Sequence, residues 1–163
     1  IKYLSSMKEF MLNPKEYSTT GNREIDGVLN YMLQKANSTL NQVDVQINIP
    51  EDLYFNNFNI CVILGNLVDN AVREASKSEE KLLTIKMQIK QEVLLIFIEN
   101  SYSGKILEKK NGLQTTQTEL AIHGIGLENV KKVVLANGGE IKTDYTSDRF
   151  CVQVLLYMSQ IKN

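Results

Sequence analysis

Cysteine is scarce in this chain. Cys61 and Cys151 lie far apart in apolar segments, with no second sulfur or histidine at metal-ligand spacing, which excludes a zinc ribbon and a disulfide framework. Both read as buried, reduced thiols in a cytosolic setting. Excess positive charge is missing as well. With 18 basic against 19 acidic residues the formal charge is -1, so the chain lacks the broad positive field that nucleic acid or an anionic membrane would recognise. No run approaches the ~18 apolar residues of a membrane-spanning helix, and no leader peptide is visible. The first residue is Ile1 rather than Met, as in a segment of a longer protein. There are no internal repeats and no break in composition. With 43% hydrophobic and 23% charged residues over 163 positions, one domain around one core is expected.

Periodicity divides the chain. Ile1, Leu4, Met7 or Lys8, and Met11 recur at helical intervals until Asn13-Pro14 breaks the pattern, because proline lacks the N–H and clashes with the preceding turn. Residues 1–14 therefore read as the tail of an upstream helix and residues 15–163 as the domain proper. Asn22 can cap a helix whose apolar face is Ile25, Val28, Leu29, Met32, Leu33, Ala36 and Leu40. Val43, Val45, Ile47 and Ile49 alternate with polar residues up to Pro50, as a half-buried strand does. Helical period returns from about Phe58 to Lys77. Leu83 to Ile89 alternates again, while Val93 to Ile98 is continuously apolar, which predicts a central strand covered on both faces. Residues 101–122 are polar and aperiodic and read as a lid, since a long structureless loop inside a compact domain needs a functional reason. A short helix through Leu127, Val130, Val133 and Val134 ends at Asn137-Gly138-Gly139. Strands near Glu140–Tyr145 and Phe150–Met158 close the chain around Thr146-Ser147-Asp148. This order predicts an α/β fold: a two-layer sandwich, its mixed sheet carrying helices on one face.

Two segments carry chemistry. In the helix around Asn66-Leu67-Val68-Asp69-Asn70-Ala71-Val72-Arg73-Glu74-Ala75, spacings of four and three bring Asn66, Asn70, Arg73 and Lys77 onto one stripe, opposite Ile60, Leu64, Leu67, Ala71 and Ala75. Carboxamide oxygens are hard ligands suited to a magnesium ion that already carries phosphate oxygens, and a guanidinium can neutralise the phosphates. A plain solvated face would show the same spacing. In His123-Gly124-Ile125-Gly126-Leu127-Glu128-Asn129-Val130, two glycines lead into a helix whose free N–H groups and dipole favour an anion. The spacing fits neither the P-loop nor the dinucleotide fingerprint. His123 is the only histidine, and it either contacts a phosphate or only caps the lid.

In that order, the asparagine helix, two strands, polar lid and glycine-led helix resemble the GHKL superfamily, whose Bergerat fold is shared by gyrase, histidine kinases and related chaperones and repair ATPases. Thr20-Gly21-Asn22 with Ile25-Asp26 and Leu29-Asn30, together with Gln114-Thr115-Thr116, resembles the branch of peptide-pheromone and citrate-type sensor kinases. The resemblance spans about Thr20 to Met158. It implies the ATP-binding catalytic domain of a two-component sensor histidine kinase, with ATP and Mg2+ as ligands. Asn70, helped by Asn66, would hold the metal. Arg73, Thr116, His123, Gly124, Gly126 and Leu127 would surround the nucleotide, and Asn100 would meet adenine. Asn66 stands where hydrolysing clamps carry the water-activating glutamate, which favours phosphoryl transfer. Asn100 replaces the usual adenine-reading aspartate, and Gln117 stands where lysine is frequent. No catalytic residue is expected beyond those that position the nucleotide. The phosphoacceptor histidine would lie on an upstream dimerisation domain of a homodimeric, membrane-anchored parent, with this domain in the cytoplasm and a response regulator downstream. Neither nucleic acid nor direct membrane contact is implied. The rival readings are a partner-binding pseudokinase, an ATP-hydrolysing clamp or chaperone, and a serine kinase controlling a sigma factor.

Overall fold

A computed structural model describes residues 20–103 and 126–157. Residues 1–14, most of the expected lid, and with it Thr116, Gln117, His123 and Gly124, lie outside the described residues. Helix α1 (Arg23–Thr39) begins where the sequence places its cap: the Asn22 side chain accepts from the Ile25 backbone N–H at 3.2 Å. One turn in, the Asp26 carboxylate accepts from the Thr20 backbone N–H and hydroxyl at 2.9 and 2.8 Å and from the Gly21 N–H at 3.0 Å. The chain thus enters the domain through a hydrogen-bonded elbow. Gly21 takes a φ of +91° there, which an L side chain would resist.

Strand β1 (Gln42–Asn48) follows, then helix α2 (Asn57–Lys77), capped by Asn56, then strands β2 (Leu82–Lys90) and β3 (Val93–Ser101). Helical residues 126–136, here α3, lead through Gly138 at φ +69° into β4 (Glu140–Tyr145) and β5 (Arg149–Tyr157). The sheet order is β1-β2-β3-β5-β4. β1 and β2 run parallel because α2 carries the chain back between them, and the other pairs are antiparallel hairpin or neighbour pairings. Ile25, Leu29 and Leu33 of α1, Ile60, Leu64 and Val68 of α2, and Val130 and Val134 of α3 are buried together with Leu83, Ile85, Leu94, Ile96, Ile98, Val152 and Val154 of the sheet. This is the two-layer α/β sandwich with helices on one face. No described helix is long and apolar enough to cross a membrane.

The apolar run of β3 departs from its expected double coverage. Leu94, Ile96 and Ile98 are buried, whereas Val93, Leu95 and Phe97 are only half-buried. The second face of the sheet has no helix over it among the described residues. It forms an open groove of about 630 Å³ that includes Gln46, Lys86, Leu95, Phe97, Gln153 and Leu155. Its apolar side chains shield one another, and the Lys86 ammonium lies 5.8 Å from the centroid of the Phe97 ring.

Candidate functional site

The covered face changes character at one end. In β3 the register that buries Leu94, Ile96 and Ile98 continues to Asn100, which faces Leu83 on β2 and Phe150 on β5. Asn100 is 3% exposed, and its amide nitrogen donates to the Ser101 carbonyl at 2.9 Å. That bond leaves the side-chain oxygen as the acceptor. Beyond it the chain is held by Tyr102, whose N–H donates to the Asp148 carbonyl at 3.1 Å and whose hydroxyl donates to the Thr146 carbonyl. The Tyr102 ring meets Phe150 edge to face, with centroids 6.4 Å apart.

The opposite wall is α2. Its polar stripe is not a solvated face throughout: Asn70 is 7% exposed, whereas Arg73 and Lys77 are exposed. The Asn66 amide nitrogen donates back to the Val62 carbonyl at 2.8 Å, which frees its oxygen to face outward. The Arg73 guanidinium donates to the Asn70 side-chain oxygen and pairs with Asp69 at 3.7 Å, and Lys35 of α1 approaches Asp69 at 3.6 Å. Lys77 turns to Glu74 at 3.2 Å. Arg73 is therefore engaged by its own helix, so reaching a phosphate would require it to exchange these partners.

α3 closes the third side. A methyl group at Gly126 would sit 3.0 Å from the Asn70 amide nitrogen, 3.2 Å from the Asn70 oxygen and 3.4 Å from the Asn66 oxygen. Both carboxamides thus converge on the first described residue of the glycine-led helix, at a spot that a side chain would fill. The side-chain oxygens nearest this spot are those of the Asn70 and Asn66 carboxamides. Amide oxygens fit magnesium that shares its coordination with phosphate and suit soft metals poorly. Leu127 is buried and, with Leu67, Asn70, Ala71, Asn100 and Phe150, lines a cleft of about 10 Å³. That volume admits about one water.

Of the residues singled out in the sequence, Asn70, Asn100 and Leu127 line this cleft and Asn66 and Gly126 lie beside Asn70, but the sequence patterns gave no sign of other groups that shape it. The Ser78 and Ser101 hydroxyls meet at 2.7 Å, and Ser101 accepts from the Leu82 N–H at 2.8 Å, locking the end of α2 to the ends of β2 and β3. Glu74 is a buried carboxylate beside Lys77. These contacts depend on the pairing register. The signal that could have found them is the unusual position of hydroxyls at two element ends.

This arrangement is that of a known class. The family model described as GHKL domain matches residues 55–157, and the chain belongs to that family. Its fold is also that of solved histidine kinase catalytic domains. Against histidine kinase AdeS of Acinetobacter baumannii the TM-score is 0.62 at 18% identity, over 96% of this chain and 74% of that one. Against a nucleotide-free catalytic domain of histidine kinase ThkA it is 0.61 at 16% identity, over 90% and 99%. Mycobacterial sensor histidine kinase MprB gives 0.56 at 16% identity, over 89% and 97%. At such identities the likeness establishes the fold. A search among curated proteins finds no significant sequence match.

Proposed function

We propose that this chain is the ATP-binding catalytic domain of a sensor histidine kinase, which presents the γ-phosphoryl of Mg-ATP to a histidine on a separate dimerisation domain. One observation carries the proposal: two carboxamides of α2, one of them buried, converge on Gly126 at the start of α3. In this reading Asn70 and Asn66 offer oxygens to magnesium. The metal supplies charge neutralisation of the phosphates. Backbone N–H groups near Gly124 and Gly126 receive the phosphates, aided by Thr116, His123 and Arg73 once Arg73 leaves Asn70. Asn100 accepts from the adenine amino group, while Leu67, Leu127 and Phe150 hold the base away from water. The work of the domain is positioning and electrostatics, which phosphoryl transfer mainly requires. Residues 1–14 belong to the upstream helix, the parent is a homodimer anchored in a membrane with this domain in the cytoplasm, and a response regulator receives the phosphoryl group.

The small volume of the cleft and the neutral Asn100 favour a second reading, a partner-binding module that holds no nucleotide. Calorimetric titration with Mg-ADP separates the two. The kinase reading expects binding in the micromolar to millimolar range, weakened at least about tenfold by Asn70→Ala in a variant that circular dichroism shows to be folded. Unchanged affinity in that variant removes the metal role of Asn70, and no heat in the native chain favours the partner module. With radiolabelled ATP the isolated chain should stay unlabelled, and acid-labile phosphate on His123 would contradict the division of roles. Steady-state hydrolysis at clamp-like rates would favour the ATPase reading.

A further inference from the structure

We infer that Ser101, held by Ser78, is a positioning residue that decides which purine the cleft reads: it fixes the Asn100 amide so that 6-amino purines are taken and 6-oxo purines refused. The inference rests on the nucleotide reading above and deepens it. An asparagine, unlike an aspartate, has a donor end and an acceptor end, so what it recognises depends on which way round it is held. Asn100 lines the cleft and is almost fully buried, and its amide nitrogen donates to the Ser101 carbonyl at 2.9 Å. Turned over, the amide would set its oxygen against that carbonyl, two acceptors with no proton between them, in a place nearly sealed from water.

The Ser101 carbonyl is itself held from both sides. In the trans peptide that joins Ser101 to Tyr102, the N–H and the carbonyl point in opposite directions. The Tyr102 N–H donates to the Asp148 carbonyl at 3.1 Å, which aims the Ser101 carbonyl away from the turn between β4 and β5. The Ser101 side chain, 1% exposed, anchors the other side: its hydroxyl accepts from the Leu82 N–H at 2.8 Å and meets the Ser78 hydroxyl at 2.7 Å. Ser78 donates to the Ala75 carbonyl at 2.7 Å and accepts from the Lys81 N–H at 3.1 Å, so the proton between the two serines comes from Ser101. The strand end that carries Asn100 is thus tied to the end of α2. With the nitrogen engaged, the Asn100 oxygen is left for the base, and among the described residues nothing donates to it. Adenine brings a 6-amino group to that oxygen. Hypoxanthine and guanine bring a 6-oxo group, oxygen against oxygen, which should weaken binding about tenfold or more.

Calorimetric titration with Mg-ADP and with Mg-IDP, its hypoxanthine counterpart, tests the assignment. The native chain should bind Mg-ADP at least about tenfold more tightly. Ser101→Ala should lower that ratio several-fold, and Ser101→Thr, which keeps the hydroxyl, should restore it; a merely structural role would weaken both nucleotides alike. Equal affinities in the native chain, or an unchanged ratio in Ser101→Ala, overturn the inference and leave the nucleotide reading standing, whereas no heat with either nucleotide overturns both. Should Ser101→Ala not fold, Ser78→Ala leaves the bond from Leu82 in place and should lower the ratio in the same direction; an unchanged ratio there rejects the role of the serines. In the nucleotide-free chain, NMR reads the amide directly. The side-chain amide protons of Asn100, assigned by their loss in Asn100→Asp, should exchange several-fold more slowly than those of the exposed Asn48, and faster in Ser101→Ala. Exchange as fast as that of Asn48 in the native chain shows an amide that is not held, and overturns the inference.

Discussion

Alternate residues of one strand meet two environments in this protein. Leu94, Ile96 and Ile98 of β3 are sealed beneath the helix layer, while Leu95 and Phe97 line the helix-free groove with Leu155 and Lys86. The sealed face is apolar along its middle and polar at one end, where Asn100 meets the Asn66 and Asn70 wall of α2. The groove face is mixed everywhere and organises no comparable cluster of buried amides among the described residues. The difference teaches that burial concentrates chemistry. A carboxamide beneath the helices is held by a few bonds in a low-dielectric surround, and the same group over the groove would be one more solvated side chain.

Substituting one neighbour on each face measures that contrast, and here the effect should be largest. Ile96→Ala removes a buried side chain from between α2 and the sheet and should cost about 2–5 kcal/mol in urea unfolding. Phe97→Ala, one residue on, should cost less than about 1.5 kcal/mol because its ring is already partly hydrated. Equal costs would mean that something covers the groove in solution.

Next in size is Gly126→Ala, directed at the polar end of the sealed face. The added methyl would press on both carboxamides at 3.0–3.4 Å. We expect Mg-ADP affinity to fall about tenfold while stability changes by less than about 1 kcal/mol, since small overpacking at a surface-linked helix start relaxes readily. Calorimetry and urea titration of the same sample check both halves. Unchanged affinity would separate Gly126 from the nucleotide.

Particular residues explain what the sequence disclosed about this contrast. The strict alternation of Val43, Val45 and Ile47 and the cap at Asn22 are local patterns with local causes, and both match the structure. The stripe of Asn66 and Asn70 was legible as spacing. The burial of Asn70 was not, because it is imposed by α3, more than fifty positions further along. Arg73 shows the same limit: its bond to Asn70 and pairing with Asp69 are matters of rotamer rather than pattern. The run Val93 to Ile98 misled because an unbroken apolar string is compatible with two covers, or with one cover and side chains that shield each other. Tertiary packing decides between them.

The groove face also carries a thiol whose ionisation reports its surroundings. Cys151 lies in register between Glu99 on β3 and Asp144 on β4. Burial first, then those two carboxylates, pushes its pKa up from 9.0 to about 11. The folded state therefore holds the proton more tightly than the unfolded chain. The contribution of this group to stability is full below pH 9 and is lost as pH rises from 9 towards 11. The stability difference between the native chain and Cys151→Ala should shrink across that window, and thiolate absorbance should rise late. Titration of Cys151 near 9 in the folded protein would show the thiol to be freely hydrated.

The smallest expected effect belongs to the ion pair at the margin of the two faces. Arg149 opens β5, and its guanidinium donates to the Glu80 carboxylate at 2.7 Å, with Asp148 at 3.5 Å. Glu80 sits in the turn after α2, so the pair ties a strand beside the groove to the end of the helix that carries the asparagines. Both side chains remain partly in water. Solvent screening and the entropy of holding two long side chains limit such pairs to about 0–1 kcal/mol. A double-mutant cycle with Arg149→Ala and Glu80→Ala should give a coupling in that range that fades between low and high salt. A salt-insensitive coupling above about 2 kcal/mol would mean that the pair is buried in solution. The helix end and the strand would then be locked together more firmly than the hydroxyl contact of Ser78 and Ser101 requires.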